Sequence, residues 1–319
     1  VERQHVERRQ ERLGLFFAAA CALNGAFVPA LAKLNTTRAE PLLVATATSL
    51  FAGAGSLALL AWRGELGRLV ARGVAGKLLA LGALGTAVTY LLLFAGTART
   101  SAIETALCLQ VEPVYSLILS WAFLGHPVTL RRLGAVGGIL LGIALTLQPV
   151  GFSGWVGVAL LLATPIGWQV SHLIVLRGLR GVAPRTLTGA RYVFGGMILL
   201  GVWTVAGGPA RLPPVGSWPQ LLGLFAIQGV LLAFVGTLLW YETIARLDLL
   251  RATAIVVPSV PVLSLGASFL LLGEVAAARQ WAGLVITAAG ILAFVTAPDA
   301  REPRVRVPSA NAPIVVSGE

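Results

Sequence analysis

Midway along an apolar run covering residues 101–124 stands a carboxylate, Glu112. An ionised group in such a run is costly unless it meets protein or water. Glu112 is therefore open to two readings: it binds a cationic part of a solute or a coupling proton, or it locks helices together by hydrogen bonds. At 100° per residue, Ser101, Thr105, Cys108, Glu112 and Ser116 fall within about 40° of one line, a polar stripe for which lipid offers no partner. Pro113 removes a backbone bond and frees the carbonyl of Leu109 as an acceptor or hinge. In a later run Thr164, Trp168 and His172 recur every four residues with Gln169 adjacent. They suit one wall of a cavity, with an indole for stacking and an imidazole for hydrogen bonding or proton handling. His172 fits equally a satisfied histidine near a membrane boundary and ranks below Trp168 as a solute contact. Asn24 and Tyr90 lie at mid-depth; Asn24 serves as readily as a packing amide, and Thr86, Tyr90 and Thr97 make a second polar face. Tyr115 and Tyr241 complete the candidate solute-binding set, although Tyr241 also suits an interfacial aromatic belt. Glu104 is expected to be solvated or paired with Arg99, Glu242 to pair with Arg246 at i,i+4, and Arg191 to lie toward the cytoplasmic end of its run.

Positioning these groups requires helices in a bilayer. Of 319 residues, 57% are hydrophobic and 12% charged, with a mean hydropathy of +0.85, which excludes a water-soluble globular enzyme. Apolar spans of about 20 residues fall near 13–34, 42–62, 76–98, 101–124, 130–149, 153–176, 186–206, 218–244, 249–272 and 278–297. Strand alternation is absent, so helices rather than a barrel satisfy the backbone. The first span outruns a secretory h-region and lacks a cleavage pattern, so it is read as a mature helix. The net charge of +11 resides in connectors and concentrates in alternate ones. This predicts both termini in the cytoplasm and attraction to anionic lipid rather than nucleic acid. Residues 1–12 form a cytoplasmic segment, and 298–319, rich in Pro, Ser and Val, a disordered cytoplasmic tail. Cys21 and Cys108 sit in apolar runs, which argues against a disulfide framework or metal cluster.

The chain repeats itself. At an offset of 148 residues Pro113 aligns with Pro261, Val114 with Val262, Ser116 with Ser264, Leu117 with Leu265, Ser120 with Ser268, Leu124 with Leu272, Gly125 with Gly273 and Gly142 with Gly290. Two units of five helices, 13–149 and 150–297, follow. An odd helix count inserts the second unit upside down, so matching connectors should differ in charge. Arg63, Arg68, Arg72 and Lys77 lie between helices 2 and 3, whereas only Arg211 lies between helices 7 and 8. The expected fold is an all-α membrane protein of ten transmembrane helices, arranged as two inverted five-helix repeats around a central cavity. Secondary transporters use such repeats for alternating access.

The motif Glu112-Pro113-Val114-Tyr115-Ser116 with Leu124-Gly125, and the second-unit Pro261, Gly273-Glu274, Gln280, Gly283 and Gly290, resemble the two copies of the EamA domain of the drug/metabolite transporter superfamily. The resemblance covers about residues 13–297. It implies a ten-helix bundle with a central cavity that moves amino acids or other small metabolites. This chain departs from the pattern at His126, where the second copy has Glu274, and at Val260, which precedes Pro261 in place of a Glu.

The expected function is a secondary, non-ATP transporter in the inner cell membrane, exporting amino acids or similar small metabolites, with proton exchange as one coupling option. Pro113, Pro261, Gly125 and Gly273 are hinge or packing positions, and small-residue spacings such as Ser49 with Gly53 and Gly138 with Gly142 fit close helix contact in a monomer or homodimer. Two alternatives stand: a nucleotide-sugar or phosphate-ester carrier of the same superfamily, and a lipid-modifying membrane enzyme. His5, His126 and His172 are far apart, and no G-x-x-x-x-G-K-[ST], H-E-x-x-H or G-x-S-x-G motif occurs, so neither catalytic residues, metal nor cofactor are expected.

Overall fold

In a computed structural model, residues 2–124, 128–147, 151–247 and 249–297 are described. They form ten long helices and, among the described residues, no strand. These are α1 (Glu2–Thr36), α2 (Pro41–Trp62), α3 (Ala75–Arg99), α4 (102–124), α5 (Leu130–Thr146), α6 (Gly151–Gly178), α7 (Pro184–Val205), α8 (218–246), α9 (Leu249–Leu272) and α10 (Ala278–Val295). Eight are long and apolar enough to cross a membrane. The other two are α5, with 17 residues, and α7, which carries Arg185 and Arg191 in its first half. Hinge candidate Gly125, together with His126 and the expected tail 298–319, lies outside the described residues.

Local chemistry sets the helix limits. Both α2 and α7 begin with a proline, at Pro41 and Pro184, where the missing amide costs nothing and φ is already helical. In α4 a 3-10 turn at Leu109–Val111 precedes Glu112, and the amide of Glu112 bonds to Leu109 O, the carbonyl that Pro113 cannot reach. Gly273 ends α9 at φ +68°, a left-handed conformation that a side chain would strain. Two helices contain what hydropathy did not foreshadow: π-helical segments at Ala83–Val88 in α3 and Ile227–Val235 in α8.

Small residues let the backbones approach. Gly142 and Gly283 carry α5 against α10: a Cβ on Gly142 would stand 2.6 Å from Gly283 O, and one on Gly283 2.5 Å from Gly142 O. Likewise α2 meets α7, with Gly53 against the Tyr192 carbonyl and Gly196 against Ser49. The principal contacts otherwise join α1 to α9 and α8, α3 to α6 and α7, α4 to α6, and α2 to α8. Each pairing has a mate when helix n is exchanged with helix n+5: α1·α8 for α6·α3, α1·α9 for α6·α4, α3·α7 for α8·α2. The ion pairs obey the same exchange with signs reversed. Glu65, in the α2–α3 connector, holds Arg185 at the start of α7, and Arg211, after α7, approaches Glu40 at the start of α2 at 3.5 Å. The apolar core lies among α2, α3, α7 and α8, around Phe94, Tyr90, Tyr192 and Phe225. Large apolar side chains such as Phe152, Trp155, Leu130 and Val205 remain exposed, as a lipid-facing exterior requires.

Candidate functional site

Helices α3, α4, α6, α7 and α8 bring one group of polar side chains together. Glu112 accepts a hydrogen bond from Gln169 Nε2 at 2.9 Å, so two residues singled out separately form one contact 57 positions apart. Arg191, on α7, lies on the same side of the bundle, one residue before Tyr192. Arg191 Nη2 donates to Gly85 O, in the π segment of α3, at 2.9 Å. The neighbouring Tyr192 donates its hydroxyl to Ala233 O, in the π segment of α8, at 3.1 Å, and exchanges a 3.0 Å bond with Thr237 Oγ1. Tyr90 stacks beside it, ring centroids 6.4 Å apart, and Tyr241 reaches Thr188 on α7. His172 is exposed, and Glu112 and Tyr241 are half-buried, so each keeps solvent-accessible surface.

The remaining candidates divide. Trp168 is half-buried on the same helix as Gln169, whereas Thr164 is buried and bonds its own turn at Leu160 O. Asn24 donates to Leu231 O at 2.8 Å, a helix-packing amide on the second π segment. Tyr115 is half-buried with Val114 near the α5–α10 contact and outside the Arg191 group. Pro113 and Pro261 are buried inside their helices.

One expectation is corrected. Glu104 is neither solvated nor paired with Arg99. It is buried and forms a capping box with Ser101, whose amide donates to Glu104 Oε2 at 3.2 Å while the Glu104 amide donates to Ser101 Oγ at 3.0 Å. Arg99 instead donates to Ala95 O. Arg191 does lie in the first half of α7, as expected, and from there it reaches the π segment of α3 at Gly85 O. The expected Glu242–Arg246 ion pair is present.

At the end of the molecule where α1 finishes and α4 begins, Glu274 accepts bonds from the amides of Ala102 at 3.1 Å and Ile103 at 3.2 Å. Lys33 Nζ donates to Thr97 O and Ala98 O at 3.2 and 3.3 Å and faces the charges of Glu274 and Glu104. This latch ties the connector after α9 to the start of α4, beside the Lys33 link between the ends of α1 and α3, and His172 lies within about two turns of the opposite end of α6. Sequence reasoning recorded Glu274 only as a motif residue and passed over Tyr192. The adjacency of Tyr192 to Arg191, on an apolar helix, was the available signal for Tyr192.

The profile of the EamA-like transporter family matches residues 12–148 and 155–296, one copy on each five-helix unit. The chain belongs to the EamA-like transporter family. A protein of Archaeoglobus fulgidus described as an uncharacterized transporter is 26% identical over 211 residues, which is 66% of this chain and 74% of that relative. A solved crystal structure of a protein with 16% identity covers 90% of this chain and 96% of its own, with a TM-score of 0.59; that likeness concerns the fold. As an EamA-like protein the chain is a multi-pass membrane transporter whose surroundings are the bilayer and whose cargo is a small molecule.

Proposed function

We propose that this EamA-like protein is a secondary transporter that exports amino acids or similar small metabolites by alternating access, through a site built on Glu112, Gln169, Trp168, His172, Tyr90 and Tyr241. The observation that carries this reading is the partly solvent-accessible polar cluster around the Glu112–Gln169 hydrogen bond, which joins the two family repeats. Exchange of partners under helix n to n+5, with reversed ion pairs, supports two inverted units of five transmembrane helices. The Glu274 latch closes one end, while His172 stays accessible toward the other; with both termini in the cytoplasm of the inner membrane, that is an outward-closed arrangement. Glu112 then binds the cationic part of the solute or a proton, with Gln169 and the Arg191 charge facing it and His172 on the same wall.

Counterflow of labelled amino acids in proteoliposomes tests the transport reading. Accumulation against an internal unlabelled pool supports it, and none across the panel rejects it. For coupling, imposed pH gradients should change flux in the wild type and not in Glu112→Gln; an unaltered response in that variant rejects Glu112 as the proton carrier.

A further inference from the structure

We infer that Arg191 is the carboxylate-binding residue of this site, so that the solute spans two charges: its carboxylate on the Arg191 guanidinium and its cationic amine toward Glu112. The inference deepens the transport reading and rests on its choice of site.

A guanidinium is ionised at any accessible pH and presents five donors. In this protein one of them has an acceptor, Gly85 O, and Nε is packed away with none. Among the described residues no carboxylate lies within ion-pair distance of Arg191. A cation held this way inside a bundle is expensive, so what completes its coordination comes from outside the chain. The backbone is shaped to keep it there. A Cβ on Gly85 would stand 2.3 Å from Ser171 Oγ, so glycine lets Ser171 press against the π segment, whose wide turn offers the Gly85 carbonyl to the guanidinium.

The side chain is half-buried, so part of it remains reachable by a solute. The opposite charge within its field is Glu112, already committed to Gln169. A carboxylate alone would satisfy Arg191 and repel Glu112, and an amine alone would do the reverse. A zwitterion neutralises both. A phosphate ester, with its second negative charge facing Glu112, is disfavoured by the same arrangement.

The test measures binding without transport. Purified full-length protein is screened by ligand-induced thermal stabilisation against the common amino acids. Each that stabilises it is then compared with its decarboxylated amine, its deaminated acid and inorganic phosphate. We expect at least one amino acid to bind, and removal of its carboxylate to weaken binding roughly tenfold or more, the scale of a charged hydrogen-bonded pair. Arg191→Gln should weaken the amino acid by the same factor while leaving the amine unchanged. Arg191→Lys, which keeps the charge and loses the fork, should fall between and serves if the Gln variant does not fold. The assignment is overturned if no amino acid stabilises the wild type, if phosphate alone does, or if the Arg191 variants preserve the ratio of amino acid to amine. Binding that follows these expectations without counterflow in vesicles would sink the transport reading and leave the Arg191 assignment standing.

Discussion

The two π segments occupy matching places in α3 and α8, yet they are used differently. Gly85 and Ala233 are 148 residues apart in the chain, the repeat offset, and their carbonyls are taken by adjacent residues of α7, Arg191 and Tyr192. One carbonyl thus receives a charge and the other a neutral phenol. The backbone permits this because Gly85 has no side chain, whereas Ala233 packs its methyl group into the apolar core. The ends of the two units diverge as well: Glu274 latches the start of α4, while the matching position in the first unit is His126. Duplication supplied a symmetric scaffold, and a few substitutions polarised it.

The comparison can be broken first at its tightest point. Gly85→Val forces atoms into Ser171 and should destabilise the protein by about 3 kcal/mol, whereas Ala233→Gly should cost about 1 kcal/mol; equal melting temperatures for the two would refute the difference in room. Next in size is the latch. Glu274→His gives the second unit the residue of the first and removes charged acceptors worth about 2 kcal/mol. Amide exchange at Ala102 and Ile103 should accelerate roughly tenfold or more, and unchanged protection would show that the carboxylate closes nothing.

A smaller effect is expected at the neutral arm. Tyr192→Phe should cost about 1 kcal/mol of stability and leave solute affinity as it was. A fall in affinity matching that of Arg191→Gln would erase the division between a charged, ligand-facing arm and a neutral, structural one. The smallest concerns the connectors. Arg185, hydrogen-bonded to Glu65, holds that carboxyl below the usual carboxylate range. The stabilisation is therefore full above about pH 4.5, the unfolded value, and is lost as pH falls through the lower folded value. The unfolding free energies of wild type and Glu65→Gln, followed by thermal melting, should differ by about 1 kcal/mol or less at pH 7 and converge in acid; a gap that widens in acid contradicts the pairing.

Much of the scaffold was legible in the chain. The apolar runs anticipate all ten helices to within a few residues, apart from the longer start of α1, because a bilayer demands about 20 apolar residues per crossing whatever packs beside them. Pro113 announced the irregular turn before Glu112, since a missing amide acts locally. Glu112, Gln169 and Tyr90 were found as polar groups at membrane depth, but their grouping was not visible. Arg191 was placed at the right end of its helix, but its partner Gly85 O was not visible, because depth along one helix does not say what the neighbouring helix presents at that height.

Length, hydropathy and the duplicated motif by themselves determined that this is a helical, multi-pass EamA-like protein, because these properties are written in nearest neighbours and periods. Only the tertiary structure decided which residues share a site, that α3 and α8 widen into π turns, and that Glu274 ties off one end. Those outcomes depend on glycine-permitted contacts between segments more than a hundred residues apart, and on the requirement that each buried polar group find its partner across them.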